Sequence, residues 1–421
     1  MRQLDDVHAI LGRCMSGGTI PNEKMLKNSS MDSGTKSSND ACLRFRSIAK
    51  RRPAFKSALT PRITRSGSTP MITGQSMEAD VLPIDPSPGL ADWLSEQDVS
   101  LAFSTYRLGR LIMVGVDTGG ELRTSEGQFD RVTGIAFDGR NLHVATQDQF
   151  WRLIDFAESP KSSDDFERRY VPHSGHFTGD LGIRDVAIDG QGRPVFISSR
   201  FNCLATTSDS HHFKPLWMPR FINRLVGEDR CHLNGVTIVD GMPRFVTACS
   251  RTNYFNGWRK CRGDGGVVID IETDEVVVHS LSMPHSPRWY RERLWLLNAG
   301  NGSFGFIDER TQSFEHVAFC PGFARGLAFT GDYAVIGLSQ SRHDPTFEGL
   351  PLKDRLADAN AIVRRGLIII DLRTGEIVEW LWTNDPIEEI FEVVVIPRIK
   401  RASITGLLQG QDAGSIFPEP S

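Results

Sequence analysis

The chain has 421 residues, 39% of them hydrophobic and 24% charged, a composition typical of globular proteins with one large domain or a few smaller ones. No stretch approaches the roughly 20 consecutive apolar residues of a membrane-spanning helix, which predicts a protein without membrane association. Residues 1–76 hold 13 Lys and Arg against 5 Asp and Glu, whereas the whole chain has a net charge of −4, so the remainder is acidic. An acidic body argues against nucleic-acid binding, which needs a cationic face.

Residues 1–90 are rich in Ser, Gly, Lys and Arg and nearly lack aromatic residues. Such a segment buries too little apolar surface to offset the entropy lost on ordering, so it is predicted to be a disordered basic tail. Two alternatives remain open: an organelle transit peptide, and translation that starts at Met71 or Met77. The domain assignment is therefore a tail over 1–90, a folded domain over 91–400 and a C-terminal tail over 401–421.

The chain has seven cysteines, an odd number, and no pair is spaced as C-x-x-C. This usage favours reduced thiols in the cytoplasm and disfavours a disulfide framework or a structural zinc site.

A pattern of strand, turn and second strand recurs six times between Arg131 and Pro397. The turns are typical hairpin sequences, such as Asp138-Gly-Arg-Asn and Asp240-Gly. A second hairpin follows most of the first ones, which makes four strands per repeat. Repeats of roughly 40–50 residues with four strands each are typical of a β-propeller. The comparable points in the six repeats are Gly134, Val186, Gly235, Pro287, Gly326 and Phe391.

The two ends of the repeat region are incomplete in complementary ways. Residues 389–397 form an inner strand with no outer strands after it, and the strands within 99–117 have no inner strand before them. Pairing them completes a sixth blade and removes exposed edges. The predicted fold is therefore an all-β, six-bladed propeller closed by its C-terminal strand. The alternatives are seven blades, a β-sandwich or two smaller β domains. An insertion over 341–365 has a helical pattern and is a candidate lid.

The inner strands of a propeller line its central channel, and polar residues at their N-terminal ends are expected to meet at one mouth. His232 and His285 are predicted as catalytic acid–base residues or as metal ligands. Further predicted ligands of a divalent metal are Asn234, Asp185, Glu389 and Glu392. The predicted substrate-binding residues are Arg288, Arg325 and Arg184, since guanidinium suits carboxylate and phosphate. The alternative is a network of ion pairs across the channel.

Several motifs resemble a bacterial family of conserved hypothetical proteins that is known only as a domain of unknown function. They are Phe103-Ser-Thr-Tyr, Arg230-Cys-His-Leu-Asn-Gly, Met283-Pro-His-Ser-Pro-Arg-Trp, Pro321-Gly-Phe-Ala-Arg-Gly, Gly349-Leu-Pro and Glu389-Ile-Phe-Glu, in that order over about residues 92–400. The resemblance implies a propeller fold and no established activity. The family pattern often has a His at the position of Arg184 and usually an Asp at the position of Glu392. This chain departs from the family at both positions. A more distant resemblance is to the regucalcin, gluconolactonase and strictosidine-synthase propellers, which bind a divalent cation in the channel.

The function predicted from these observations is binding of a small polar ligand at the channel mouth, with or without a divalent metal. If the protein is an enzyme, metal-dependent hydrolysis or isomerisation is expected. The alternative is a non-catalytic propeller that binds a protein partner. Its binding surface is expected on the cationic, aromatic loop 251–262 and on the insertion.

Overall fold

The computed structural model describes residues 83–156, 166–340 and 348–407. In chain order its strands begin with β1 (Ile84–Pro86), β2 (Val99–Thr105), β3 (Arg110–Val116), β4 (Leu122–Gln128), β5 (Ile135–Phe137), β6 (Leu142–Ala145), β7 (Gln149–Asp155), β8 (Arg168–Phe177), β9 (Ile183–Ile188), β10 (Pro194–Ser198), β11 (Cys203–Thr206), β12 (Lys214–Trp217) and β13 (Leu233–Val239). They continue with β14 (Met242–Ala248), β15 (Gly266–Asp270), β16 (Glu275–Leu281), β17 (Pro284–Tyr290), β18 (Arg293–Asn298), β19 (Ser303–Asp308), β20 (Ser313–Phe319), β21 (Phe323–Thr330), β22 (Tyr333–Ser339), β23 (Gly366–Asp371), β24 (Ile377–Thr383), β25 (Val393–Pro397) and β26 (Ala402–Ile404).

The described residues also form the helices α1 (Leu90–Gln97) and α2 (Leu352–Asp358) and two short 3-10 helices at Gly257–Cys261 and Ala299–Asn301. Neither α-helix has the length that crossing a membrane requires, and the same is true of every helix in the described ranges.

The strands form six separate sheets, which are the blades of a propeller. Blade 1 contains β5 to β8, blade 2 contains β9 to β12, blade 3 contains β13 to β16, blade 4 contains β17 to β20, blade 5 contains β21 to β24, and blade 6 contains β25 with β2 to β4. The innermost strands β5, β9, β13, β17, β21 and β25 pack side by side, and β25 packs against β5, so the ring is closed. The predicted six-bladed architecture is confirmed.

The ring closes as predicted, because β25 pairs antiparallel with β2 in a register that runs from Val99↔Pro397 to Phe103↔Val393. Two short strands outside the expected domain range of 91–400 extend the blades. β1 pairs with the outer strand β24 of blade 5, and β26 pairs in parallel with β8 of blade 1.

The second of these pairings lies within the predicted C-terminal tail, 401–421. Ala402 and Ile404 are buried there in an apolar cluster with Leu142, Leu153 and Tyr170, and this burial stabilises the pairing. The rest of that expected tail, residues 408–421, lies outside the described residues. The same is true of residues 1–82, which hold nearly all of the expected basic tail.

The core consists of apolar clusters between adjacent blades. Leu101 and Ile112 of blade 6 pack with Val335 and Leu367 of blade 5, and α1 covers this cluster with Trp93. In blades 2 to 5 the inner strand pairs with the second strand of its blade. This pairing contains a register shift near the N-terminal end of the inner strand. Such bulges re-aim side chains, so they determine which residues reach the channel.

Adjacent inner strands approach closely at glycines in alternate blades. A Cβ atom at Gly235 of blade 3 would lie 2.3 Å from Pro287 Cδ, and one at Gly326 of blade 5 would lie 2.6 Å from the backbone nitrogen of Val393. Gly326 also has φ +74°, a left-handed conformation that favours glycine. The narrow contacts bring polar side chains of different blades within hydrogen-bonding distance.

Candidate functional site

Four of the predicted site residues meet at the channel mouth: Arg184 of blade 2, His232 before blade 3, His285 of blade 4 and Arg325 of blade 5. The two histidines are buried, with exposed fractions of 3% and 6%. Burial lowers the pKa of both imidazoles, and the charges of Arg184 and Arg325 lower it further. His285 and Arg325 share contact with Phe323, and Arg325 and Arg184 both lie over Phe391, so these side chains are close in the structure.

His232 is held by three features at once. Its Nδ1 lies 2.6 Å from Oδ2 of Asp229, and its ring stacks on Trp258 with the ring centroids 4.1 Å apart. Its backbone adopts φ +53°, which is uncommon for a residue with a side chain. His232 lowers the pKa of Asp229 although burial opposes this, so the pair is a carboxylate beside an imidazole. The ring is therefore fixed in position and orientation.

His285 stands edge-on to Phe323, with the ring centroids 5.6 Å apart. Its Nε2 is buried and has no hydrogen-bond partner among the described residues. Its pKa is lowered well below the ordinary value, chiefly by burial and then by the charge of Arg325. The imidazole is consequently neutral near pH 7 and has a nitrogen free to bind a ligand.

The two arginines share an aromatic partner in blade 6. Arg325 lies over Phe391 at 5.2 Å and over Phe323 at 5.1 Å, and Arg184 lies over Phe391 at 5.8 Å. Tyr106 packs on the same Phe391, with the ring centroids 5.7 Å apart. The stacking holds both guanidinium planes against Phe391, and Nε of Arg184 also donates a hydrogen bond to Oγ of Ser199 at 3.2 Å.

Two further polar atoms at the mouth are buried without a partner in the part of the chain described: Oδ1 of Asp229 and Nε1 of Trp258. Both belong to residues in contact with His232, and His285 supplies a third such atom. Buried polar atoms in native proteins are nearly always paired with protein, water or ligand. The mouth is therefore suited to a small polar molecule.

The insertion lies over this region. Leu350, Leu352 and Leu356, the last two within α2, are buried in one apolar cluster with Trp258 and Phe323. Trp258 belongs to the loop 251–262, so the loop and the insertion pack together beside His232 and His285. This packing explains why polar side chains at a channel mouth are almost inaccessible. Residues 341–347 of the insertion lie outside the described residues.

Arg288, predicted as a substrate-binding residue with Arg184 and Arg325, contacts a different set of side chains. It lies three positions further along β17 than His285 and forms ion pairs with Asp185 of blade 2, at 2.9 Å, and with Glu392 of blade 6, at 3.1 Å. Its Nε also donates to the carbonyl of Leu327 in blade 5. The guanidinium of Arg288 thus joins Asp185 and Glu392, two residues predicted as metal ligands. We call the three residues Asp185, Arg288 and Glu392 the Arg288 latch.

Burial and the charge of Asp185 raise the pKa of Glu392, while the charge of Arg288 opposes the rise. The same two carboxylates raise the pKa of Arg288. Asp185 additionally accepts hydrogen bonds from the backbone nitrogens of Val186 and Val236. The Arg288 latch therefore connects alternate blades across the channel.

The other two predicted metal ligands have separate partners. Oε1 of Glu389 accepts a hydrogen bond from the backbone nitrogen of Arg107, at 3.2 Å. The amide of Asn234 contacts Thr247 and Cys249 of the next strand in its own blade. Across residues 83–156, 166–340 and 348–407, no group of three or more His, Cys, Asp or Glu side chains is placed to hold a metal ion. The six predicted ligands thus do not form a single cluster.

Beyond the latch the channel contains a cavity of about 420 Å³. Arg288 lines this cavity, and its side chain keeps an exposed fraction of 21% there. The other walls come from the later residues of all six inner strands, including Ile135, Ile188, Ile238, Phe329 and Val395. The latch therefore lies between the channel mouth and this cavity.

Sequence reasoning missed Asp229, Phe323 and Phe391 as site residues. Asp229 lies three positions before His232, a spacing that allowed the pairing without requiring it. Phe391 lies within the motif Glu389-Ile-Phe-Glu, in which only the two carboxylates were predicted to belong to the site. Trp258 was noted in the loop 251–262, but its stack on His232 depends on the fold.

Six blades around a polar channel define this protein as a six-bladed β-propeller. The chain belongs to the family described as a domain of unknown function, DUF4915, whose family model matches residues 88–405. The resemblance noted in the sequence to a family of unknown function is thereby confirmed. No curated protein matches the chain.

The chain is also similar to several solved structures. One is a nidogen/laminin complex, at 11% identity over 71% of this chain and 99% of that chain, with a TM-score of 0.46. Another is a functionally unknown protein from Desulfotomaculum acetoxidans DSM 771, at 12% identity over 71% of this chain and 99% of that chain, with a TM-score of 0.40. A third is virginiamycin B lyase from Staphylococcus aureus, at 11% identity over 57% of this chain and 73% of that chain, with a TM-score of 0.35. None of these likenesses bears on the activity of this chain.

Proposed function

We propose that this propeller binds a small organic anion at the channel mouth, between Arg184 and Arg325. The observation that carries the proposal is that the guanidiniums of Arg184 and Arg325, from different blades, lie over the same Phe391. Arg325 also shares Phe323 with His285, whose Nε2 is buried and unpaired among the described residues. Arginine side chains held by stacking present parallel N–H donors that match the oxygens of a carboxylate or phosphate.

The aromatic residues explain why the anion would be organic. Phe391 and Phe323 form the walls against which the guanidiniums stack, and Trp258 packs beside His232. Ligand sites of this kind combine apolar walls with a few convergent polar groups. The buried Nε1 of Trp258 and Nε2 of His285 are suited to hydrogen bonds with the ligand.

A metal ion is not needed for this proposal, because the guanidiniums supply the positive charge. A metal-dependent hydrolase or isomerase remains a separate hypothesis for the same mouth. The two are distinguished by adding EDTA, since an anion held by Arg184 and Arg325 keeps its affinity after the chelator is added.

The test measures thermal unfolding of the purified protein with lactate, glycerate, malate, tartrate, gluconate, phosphoglycolate and inorganic phosphate. A ligand at about 100 times its dissociation constant stabilises the folded state by about 2.7 kcal/mol, which is readily measured. We expect at least one anion to raise the melting temperature of the wild type. Arg184→Gln and Arg325→Gln should each weaken binding about 10-fold or more.

The matched control is Arg310→Gln, because Arg310 lies on an exposed turn of blade 4. It should respond to the anion as the wild type does. Equal stabilisation of the wild type, Arg184→Gln and Arg325→Gln by the same anion would place the binding elsewhere and contradict the proposal.

One observation favours a second function, the binding of a protein partner. Tyr254 and Phe255 are exposed by 54% and 63% on the loop 251–262, which also carries Arg251, Arg259, Lys260 and Arg262. Aromatic residues with arginine are enriched at protein interfaces. Binding of a partner that survives Arg184→Gln but is lost in Tyr254→Ser with Phe255→Ser would favour this function over the first.

A further inference from the structure

The pairing of Asp229 with His232 adds a chemical function to the anion site. We propose that His232, positioned by Asp229, removes the proton from the carbon atom next to the carboxylate of the bound anion. This inference rests on the proposed anion binding and narrows the ligand to a carboxylic acid with a hydrogen on that carbon, such as a 2-hydroxy acid.

The geometry determines which nitrogen of His232 acts as the base. Nδ1 lies 2.6 Å from the Asp229 carboxylate, which accepts a hydrogen bond, so we infer that Nδ1 carries the hydrogen. The lone pair is then on Nε2. Among the described residues, the ring of His232 forms a single hydrogen bond, the one with Asp229. The stack on Trp258 at 4.1 Å keeps the ring in its plane. A carboxylate, an oriented imidazole and a free Nε2 form the arrangement of a general base.

The protonation state fits this role. Burial lowers the pKa of His232, the carboxylate of Asp229 raises it, and the charges of Arg184 and Arg325 lower it again. His285, the other histidine of the mouth, has its pKa lowered well below the ordinary value, chiefly by burial. His232 is therefore neutral near pH 7 and able to accept a proton.

The two arginines lie where such a reaction develops charge. When the C–H bond breaks, its proton goes to Nε2 of His232 and its electron pair forms a carbon–carbon double bond to the carboxylate carbon. The carboxylate oxygens then carry a second negative charge, and Arg184 and Arg325 stabilise it. Donors aimed at a charge that appears only during the reaction are the main source of catalysis in many enzymes. Return of a proton from His232 restores the acid.

Nucleophilic catalysis by a thiol does not suit this mouth. Cys231 is adjacent to His232 in sequence but is fully buried and contacts Oδ1 of Asn202. Burial raises the pKa of Cys231 and of Cys249, so both remain protonated thiols. An acid–base step by His232 uses the groups that the mouth presents.

The experiment incubates the full chain in D₂O with each carboxylate that stabilises it, and with lactate, malate and tartrate in any case. Proton NMR follows the signal of the hydrogen on the carbon next to the carboxylate. We expect that signal to disappear as deuterium replaces the hydrogen. At carboxylate concentrations that saturate the thermal shift of each protein, His232→Gln should slow the exchange at least about 100-fold, the usual contribution of a general base.

Asp229 is a positioning residue, so its variant needs a different readout. In Asp229→Asn the loss of the carboxylate should lower the pKa of His232, which moves the pH profile of the exchange to lower pH and reduces its plateau. A purely structural role of Asp229 would lower binding and exchange together and leave the profile at the same pH. His279→Gln is the matched control, because His279 is exposed on blade 3.

The outcomes separate the two proposals. Binding with exchange that depends on His232 supports both. Binding of a carboxylate without exchange, or exchange that persists in His232→Gln, overturns the acid–base inference and leaves the anion site standing. Absence of binding by every anion, together with absence of exchange, overturns both.

Discussion

The guanidinium of Arg288 in blade 4 holds both oxygens of the Asp185 carboxylate in blade 2, with Nη1 2.9 Å from Oδ2 and Nη2 3.2 Å from Oδ1. Nη2 also contacts Glu392 of blade 6 at 3.1 Å. Both carboxylates are almost fully buried, with side-chain exposures of 2%. Three blades that are not neighbours in the ring are thus joined at the centre of the channel.

Replacing Arg288 with Met should destabilise the protein severely, because it leaves the buried carboxylate of Asp185 without its counter-charge and the buried Glu392 without its partner. Removal of one partner of a buried ion pair costs about 3–5 kcal/mol. Urea unfolding followed by far-UV circular dichroism measures the loss. The triple variant Asp185→Leu, Arg288→Met, Glu392→Leu should recover much of the stability, since it removes the charges together. A loss below about 1 kcal/mol for Arg288→Met alone would contradict the role given to the latch.

Glu392 should make stability fall as the solution becomes alkaline. Burial and the charge of Asp185 raise its pKa from 4.5 to about 8, so the folded state holds a proton that the unfolded state has released. Between those two values the folded protein binds more protons, and its stability decreases with rising pH. Glu392→Gln removes this titration. We expect the free energy of unfolding of this variant, measured from pH 5 to pH 8, to fall less with pH than that of the wild type.

Exposed histidines and other groups add their own pH dependence, so the quantity to compare is the difference between Glu392→Gln and the wild type. A difference that is constant over pH 5 to 8 would show that Glu392 titrates normally in the folded protein. Gln retains an acceptor for Arg288 but not the charge, so a constant offset is expected in addition.

His285 should have the opposite effect on the pH dependence of stability, because it makes the protein less stable as the solution becomes acidic. Its folded pKa lies well below 6.5, chiefly because of burial, so below pH 6.5 the unfolded state gains a proton that the folded state does not. The stability that is present above pH 6.5 is therefore lost as the pH falls. His285→Gln should lose less stability between pH 6.5 and pH 5 than the wild type does. His279→Gln, at an exposed position, serves as the control, and an identical slope in the His285→Gln and wild-type proteins would rule out a neutral buried His285.

The repeat could be predicted from the sequence because each blade carries its own local signals. Turn residues such as Asp138-Gly and Asp240-Gly mark the hairpins, and their spacing gave the inner strands that the structure contains. Closure by β25 and β2 followed from two incomplete ends of the repeat region. The turn signals are local in the sequence, and the closure follows from the number of strands in each repeat. Neither prediction depends on the direction of a side chain.

The site was only partly predictable, because the direction of each side chain depends on bulges that the sequence does not reveal. His285 and Arg288 are three positions apart on β17, with a register shift between them, and they face different levels of the channel. Arg288 and Asp185 are separated by 103 positions, so nothing local indicates their pairing. Carboxylates at blade starts therefore suggested metal ligands, whereas in the structure Arg288 of blade 4 binds Asp185 of blade 2 and Glu392 of blade 6.

The contact between blades 5 and 6 at Gly326 is the last feature that a substitution can test. A Cβ atom there would lie 2.6 Å from the backbone nitrogen of Val393 and 2.9 Å from the carbonyl carbon of Glu392, and neither backbone atom can move without shifting β25 and the latch. Gly139 offers a matched control, because it also has positive φ, at +92°, but a Cβ atom would meet nothing within 4 Å. Gly139→Ala should cost roughly 1–2 kcal/mol from the backbone conformation alone. Gly326→Ala adds a clash of about 1–3 kcal/mol to a similar conformational cost, so it should be clearly the less stable variant in urea unfolding. Equal losses of stability in the two variants would mean that β21 and β25 can move apart at Gly326 without a free-energy cost. The close packing of these two strands would then not contribute to stability.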